Sequence, residues 1–457
     1  MDNIFFLSCF LPLVLAAYWL VPGIKGKNAV LLVFSLLFYS MGSLPGLALL
    51  VCVALVNYML GLLLKCGKCK KAALAAGLVL DLAFLGFFKY ADFVLSDILG
   101  LPPMESGLAA PLGISFFIFK CISYLMDAHR DGVQATKSFW DFLLYISFFP
   151  QITMGPITRF REFGPQLKQR EVTAEHAALG LRRFAAGLGK KVIVAGTMAT
   201  VADGVFALEA VDARLAWVGA ITYCLQLYFD FSGYIDMVIG LGTCFGFTTR
   251  ENFNYPYIAT TVGDFWRRWH MSLSTWFKEY LYIPLGGNRK GKLRAGINKS
   301  IVFLLCGLWH GAAWTFVIWG LWHGLFSMLE SLNVIPAKKL ESGRGRVVGH
   351  IYTLLVVCVG FVMFRAGTVM QGLEIIGAMF AGFRFTAAGT VELYRLLNAQ
   401  TLLVMASGIV LSCPVSRTLM KSGTAEKLSW IGALAVLVLC FIKMAAGDFA
   451  PSIYAQF

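Results

Sequence analysis

The sequence predicts an all-α polytopic membrane protein, and three observations carry that reading. Of 457 residues, 58% are hydrophobic and 14% charged, where a soluble domain carries about a quarter charged. Mean hydropathy is +0.72, and long apolar runs recur from one end of the chain to the other. Those runs are continuous rather than alternating, which argues against a transmembrane barrel. Helices are then the structure that satisfies its own backbone in lipid.

A spanning helix needs roughly 20 apolar residues. Candidate runs lie near 4–20, 29–42, 44–64, 72–90, 111–126, 139–154, 184–206, 215–245, 298–330, 348–364, 370–383, 400–413 and 428–446. They predict about 9–12 crossings by that length rule. The first run lacks the charged leader of a signal peptide and is followed by further runs, so it reads as a first membrane helix. Lys25 and Lys27, then "KCGKCKK" at 65–71, are the first basic loops. The positive-inside rule puts both in the cytoplasm and the N-terminus outside. Such loops, facing anionic lipid, account for most of the net charge of +14 without nucleic acid. Cys66 and Cys69 form one CxxC with no second pair. A structural zinc site needs four ligands, so no metal is expected.

The chain divides into N-terminal membrane helices over 1–110, a middle stretch over 111–330, and C-terminal membrane helices over 331–457. Only the middle keeps Trp, His, Arg, Asp, Pro and Gly inside or beside apolar runs. Polar groups at membrane depth are costly and tend to be functional, so the middle is where function is expected.

Within it, "YISFFPQITMGPITRFREF" (145–163) interrupts an apolar run with Pro150, Gly155 and Pro156. It reads either as a kinked span with a basic end or as a broken helix buried in protein. "YCLQLYFDFSGYIDMVIG" (223–240) carries Asp230, Ser232 and Asp236. On a straight helix the two acids are about 240° apart, so they do not share a face. Gly233 breaks the helix, or each Asp caps a backbone break or holds an Arg. "GDFWRRWHMSLSTWFKEYLYIPLGGNRKGKLRAGINK" (263–299) interleaves Trp266, Trp269 and Trp276 with Arg267, Arg268 and Lys278. Between Asp264 and Lys299 there are eight Lys/Arg against two Asp/Glu. This is an interfacial segment, anchored on lipid phosphates or forming a polyanion site at a cavity mouth.

Of six histidines, His129, His176 and His350 lie among charged or polar neighbours and read as surface groups. His310 and His323 each sit in a Gly-Leu-Trp-His-Gly copy, 13 residues apart. On one continuous helix that is about 20 Å of rise and about 140° of rotation. One functional histidine and one with another job are expected, unless the helix breaks. His270 reaches the site only if its interfacial helix tucks inward.

Five motifs in order, "PLGISFFIFKCISYLMD" (111–127), "FFPQITMGPITRF" (148–160), "YFDFSGYIDMVIG" (228–240), "ENFNYPYIATTVGDFWRRWHMSLSTWFKEYLYIPLGGNR" (251–289) and "GLWHGAAWTFVIWGLWHG" (307–324), carry a resemblance. The chain resembles the membrane-bound O-acyltransferases (MBOAT), in the bacterial branch of alginate O-acetyltransferase and teichoic-acid D-alanyl transfer proteins. "IPLGGNR" and the final "PSIYAQF" are closer to the alginate side, though the ending departs from its fuller aromatic tail. The resemblance implies a ring of tilted helices around a central funnel, with re-entrant pieces carrying the site in a catalytic core over 111–330. It matches the family's near-invariant histidine to His310 and its second histidine to His270. Donor is expected from the cytoplasmic side of the inner membrane and acceptor from the outer side, with an extracytoplasmic or membrane-anchored partner protein passing the acetyl group to polysaccharide.

The expected chemistry follows from the donor. A thioester has an activated carbonyl, but a hydroxyl needs a base within hydrogen-bond reach, and neutral imidazole titrates in the useful range. His310 is assigned as that base, and His270 as the group that orients the donor or stabilises the oxyanion. Trp309, Trp266, Arg267, Arg268, Lys278, Tyr228, Asp230, Ser232 and Asp236 are expected to bind substrate, with the basic stretch 267–294 on the phosphates of acetyl-CoA. No permanently bound cofactor is expected. The alternatives are D-alanyl transfer to teichoic acid, peptidoglycan O-acetylation, a transporter with a His/Asp proton relay, and a haem protein using the 13-residue His spacing.

Overall fold

In a computed structural model that describes residues 1, 3–65, 69–102, 110–130, 135–415 and 423–447, every regular element is helical. Cys66 of the CxxC and the tail at 451–457 lie outside the described residues. Among the described residues, five helices are long and apolar enough to cross a membrane: Leu44–Leu63, Lys70–Ile98, Ala174–Phe206, Gly345–Arg365 and Glu426–Ala445. The pair Ala387–Leu396 and Ala399–Leu411, bent by 68°, makes a sixth if it acts as one span. The other apolar runs form shorter or more polar helices, so length and composition alone license fewer than the 9–12 crossings expected above. The protein is a multi-pass membrane protein. The chain forms two compact units, Met1–Leu181 with Val238–Arg250, and Arg182–Met237 with Glu251–Phe457.

In the first unit, α1 (Leu11–Leu20), α2 (Ile24–Ser40), α3 (Leu44–Leu63) and α4 (Lys70–Asp92) are plain apolar helices. Asn57 of α3 donates to Asp81 of α4 at 2.8 Å, so these two buried polar side chains meet each other. After α5 (Ile114–Arg130), the Pro150 stretch is a broken helix. Helix α6 (Phe139–Ser147) stops before it, and α7 (Phe160–Lys168) starts after it. The freed backbone finds partners inside the protein. Lys120 Nζ of α5 donates to the Tyr145 carbonyl at 3.0 Å, and Ser35 Oγ accepts from the Phe149 N–H at 3.1 Å. Tyr145 OH donates to the Thr158 carbonyl at 2.9 Å. Irregular backbone at membrane depth is tolerated on that condition.

Helix α8 (Ala174–Gly189), which belongs to the second unit from Arg182 on, runs through a π-helical turn at Lys190–Ala195 into α9 (Gly196–Phe206). Helix α10 (Ala213–Cys244) is unbroken, so Gly233 does not interrupt it. The glycine serves contact instead: a Cβ there would fall 2.6 Å from the Gly187 carbonyl oxygen of α8. That close approach brings the two α10 acids onto cations. Asp230 pairs with Lys191, and Asp236 takes Lys190 at 2.6 Å and Arg183 at 2.7 Å.

Short helices α11 (Val262–Arg268) and α12 (Met271–Phe277) follow, then α13 (Gly291–His310) and α14 (Trp314–Ser331). The apolar run at 298–330 is therefore not one helix, and the 20 Å separation of His310 and His323 expected for one does not hold. The chain doubles back at Gly311–Ala313 into an antiparallel hairpin. A Cβ on Gly307 would fall 2.2 Å from the Phe316 carbonyl oxygen, and one on Gly320 2.5 Å from that of Phe303. Ser300 Oγ donates to the Gly324 carbonyl at 3.1 Å. The two Gly-Leu-Trp-His-Gly copies thus put Gly307 on one arm and Gly320 and Gly324 on the other, with Gly311 in the turn, and small residues let membrane helices pack closely. Helices α15 (Ala337–Leu340), α16 (Gly345–Arg365), α17 (Val369–Ala381), α18 (Ala387–Leu396), α19 (Ala399–Leu411) and α20 (Gly423–Ala445) complete the unit. Val362 of α16 and Met379 of α17 pack with Phe206 of α9 and Ala216 of α10.

Candidate active site

The "DFWRRWHMS" segment does not lie flat as a single interfacial helix. It breaks at His270, whose backbone is left-handed (φ 45°, ψ 54°), a conformation a side chain with a Cβ adopts at a cost. Phe265, Trp269 and Trp276 are buried on either side of the break, so the segment tucks inward and carries His270 with it. Glu330 at the end of α14 holds the start of α11, its carboxylate accepting from the Val262 N–H at 2.7 Å and the Gly263 N–H at 2.9 Å.

The tuck and the hairpin together bring three histidines into one aromatic cluster. The His310 ring lies 4.9 Å from Trp309, 5.3 Å from Trp319 and 5.1 Å from Phe364. His323 lies 5.1 Å from the same Trp319 and 5.0 Å from Trp266. His270 is 4.7 Å from Phe231 and 6.2 Å from Trp309. All three are buried, at 2%, 6% and 0% exposure for His270, His310 and His323.

A cavity of about 1010 Å³ opens along α11–α14, and His270 and His310 are in its wall. One face of α13 lines it from Lys292 through Lys299 and Phe303 to His310, a rise of about 27 Å at 1.5 Å per residue. Lys292 and His310 are therefore at opposite ends of the α13 wall, with Lys299 between them. Arg267, Lys278 and Lys292 line the cavity together with Asn288. The turn that carries Asn288 has positive φ at Gly286 (102°) and Gly287 (56°). Asn298 pins it, donating to the Gly287 carbonyl at 2.9 Å.

Of the residues expected from sequence, His270, His310, Trp266, Arg267 and Lys278 are in this wall. Among the described residues the other expected members lie outside it. Arg268 is paired with Asp264 at 2.8 Å. Trp309 stands between two histidine rings without reaching the cavity. Tyr228 packs behind Trp269 and Phe253. Ser232 is buried on α10, and Asp230 and Asp236 are in the ion pairs described above. His323 also lies outside the wall, and neither of its ring nitrogens has a hydrogen-bond partner among the described residues. The hairpin removes the single-helix spacing that a pair of stacked haems would need.

Sequence reasoning passed over Lys299 and Glu330, which line the cavity, and Asn252. Asn252 Nδ2 lies 3.3 Å from His270 Nδ1, and its Oδ1 accepts from the Ser272 N–H at 2.8 Å. Asn252 is 0% exposed, but nothing in the sequence distinguishes it from an ordinary loop asparagine.

The sequence model of MBOAT, the membrane-bound O-acyltransferase family, matches residues 31–336, which include the whole cavity. The chain belongs to this family. It is 42% identical over 387 residues to a probable alginate O-acetylase of Pseudomonas syringae pv. tomato, covering 82% of this chain and 74% of the relative. It is 36% identical over 413 residues to a peptidoglycan O-acetyltransferase of Helicobacter pylori, covering 82% and 78%. A teichoic acid D-alanyltransferase of Bacillus subtilis is 31% identical over 274 residues, covering 55% and 68%. As a member of the membrane-bound O-acyltransferases, the protein is an O-acyltransferase.

Proposed function

We propose that this O-acyltransferase takes acetyl from cytoplasmic acetyl-CoA and passes it across the inner membrane for O-acetylation of an extracytoplasmic, alginate-like polysaccharide, by way of a partner protein that presents the attacking hydroxyl. One observation carries the reading: one cavity is lined by several cations and two buried imidazoles, with Lys292 and His310 at opposite ends of its α13 wall. That polarity suits a donor with a phosphate-bearing head and a thioester tail. Alkyl surface of the pantetheine arm would lie along Val302, Phe303 and Cys306, which line the wall between the ends. The acetylase relatives match 82% of the chain and the D-alanyl relative 55%, which supports acetyl over D-alanyl.

In this mechanism His310 takes the hydroxyl proton while the oxygen attacks the thioester carbonyl carbon. The C–O bond forms and the carbonyl electrons move onto oxygen. His270 and its surroundings meet that oxyanion. The intermediate collapses by breaking the C–S bond, and the departing thiolate takes the proton from His310. Arg267, Lys278 and Lys292 hold the phosphates through charge-assisted contacts.

The test is acetyl transfer by purified protein from acetyl-CoA to a short serine peptide standing in for the partner's hydroxyl, with folding checked by size exclusion. His310→Ala at near wild-type turnover refutes the assigned base. Loss in His323→Ala with full activity in His310→Ala moves the base to His323. Proton-coupled flux with no binding of acetyl-CoA would make the protein a transporter instead.

A further inference from the structure

We infer that Asn252 is a positioning residue that locks His270 as its Nε2–H tautomer, making it a hydrogen-bond donor to the reacting carbonyl and excluding it as the base. The inference rests on the acyl-transfer reading of the cavity and adds to it a division of labour between the two histidines.

The Ser272 backbone N–H can only donate, so the Asn252 atom 2.8 Å from it is the carbonyl oxygen. The other end of the amide is then the NH₂ group, and it faces His270 Nδ1 at 3.3 Å. An NH₂ group also only donates. His270 Nδ1 must therefore accept, which means it carries no hydrogen. The ring is neutral, and its one N–H is on Nε2. The orientation does not depend on telling nitrogen from oxygen at the amide, because the backbone donor decides it.

Both ends of this arrangement are held. Asn252 is 0% exposed, and its own carbonyl accepts from the Met271 N–H at 3.0 Å. Asn252 thus grips the two residues that follow His270 as well as its ring, across the left-handed break. His270 Nε2 is buried and has no hydrogen-bond partner among the described residues, in a residue that lines the cavity. A buried N–H left without a partner costs free energy comparable to a lost hydrogen bond. It is worth that cost where the partner arrives with the substrate, as an oxyanion does. A base would need a bare Nε2 instead. Neutral rings, Phe231 from α10 and Trp309 from α13, pack against His270. The ionisable groups lining the same cavity include Arg267, Lys278, Lys292, Lys299, Glu330 and His310.

Two experiments on the full chain in lipid nanodiscs test this. In the first, ¹⁵N spectra of histidine-labelled wild-type protein are recorded, with His270 assigned by the signals lost in His270→Gln. The expected result is a bare Nδ1 and a protonated Nε2, and a protonated Nδ1 overturns the inference. The second is the pH profile of acetyl transfer by Asn252→Asp, with acetyl-CoA and a short serine peptide standing in for the partner's hydroxyl. Aspartate still accepts from the Ser272 N–H but presents an acceptor to Nδ1. The neutral ring must then carry its hydrogen on Nδ1, and Nε2 donates only from the imidazolium, which the new carboxylate favours. Turnover is expected near wild type at the acid end and to fall about 10²–10³-fold, the value of one oxyanion donor, as the ring loses its proton with rising pH. A profile parallel to wild type, at any level, overturns the inference, because a purely structural Asn252 keeps its backbone partners in Asn252→Asp. Should that variant fail to fold, the spectra decide alone. Wild-type turnover in His270→Ala would refute the role of His270 itself. An inactive His270→Ala with a parallel Asn252→Asp profile would refute only the lock.

Discussion

Along α8, its π turn and α10, Asp230 and Asp236 meet Lys191, Lys190 and Arg183, and Arg183 reaches on to Glu251 at 2.6 Å. Around α11–α14, in the same unit, His270 and His323 keep ring nitrogens without a partner among the described residues. Both regions place ionisable groups inside apolar helices, and sequence gives them equal standing. The first set is closed on itself and holds two helices together. The second is open toward a cavity or enclosed in aromatic rings. At membrane depth a polar group closed in an ion pair holds helices together, and one facing a cavity marks chemistry.

The sharpest way to break this comparison is His310→Gln. Loss of a general base lowers turnover by about 10²–10⁴-fold, with the thermal midpoint in detergent unchanged. A matching fall in thermal midpoint would make His310 architecture too. Asp230→Ala should do the opposite. Its partner Lys191 is fully buried, and removing one side of a buried ion pair costs about 3–5 kcal/mol of stability. Activity per folded molecule should survive. The double change Asp230→Leu with Lys191→Met is expected to recover the stability, and a double variant still unstable would show that the pair does more than close on itself.

Gly320→Ala joins the two classes. Its methyl group would fall 2.5 Å from the Phe303 carbonyl oxygen, so the hairpin arms must part. Overpacking of this kind costs about 1–3 kcal/mol, and transfer should fall with it because His310 sits on one arm. Unchanged activity in a destabilised Gly320→Ala would separate the hairpin from the chemistry. The smallest effect is expected at the exposed end. Lys292→Ala should raise the KM for acetyl-CoA about two- to fivefold, in line with an exposed charge contact, leave kcat alone, and lose its effect in high salt. A change in kcat instead would place Lys292 nearer the reacting atoms than the cavity wall puts it.

Much of this was legible in the sequence. The helical membrane class follows from hydropathy, which is local. Neighbouring residues narrow six histidines to His270, His310 and His323, and the family resemblance supplied the choice of His310 and His270. The turn at Gly311–Ala313 was not, because the run at 298–330 is continuous in hydropathy and contains no proline. Its signal was the repeated Gly-Leu-Trp-His-Gly, whose glycines mark the contact face of each hairpin arm. Asn252 was missed because an asparagine in a loop looks like any turn residue. Glu330 was missed because an acid at a helix end looks like a surface charge.

By itself, the sequence determined which segments prefer lipid and which ionisable groups must be carried among them, since both depend on residue type and short-range period. Only the tertiary structure decided which of those groups are paired. The partners are far along the chain: Arg183 lies 53 residues from Asp236, and Glu330 lies 68 from Val262. Charge cancellation and hydrogen bonding act over a few ångströms, so no local pattern reveals whether an aspartate or a histidine ends up satisfied. Folding settled that Asp230 and Asp236 are closed off in ion pairs, and that His270 and His310 face a common space.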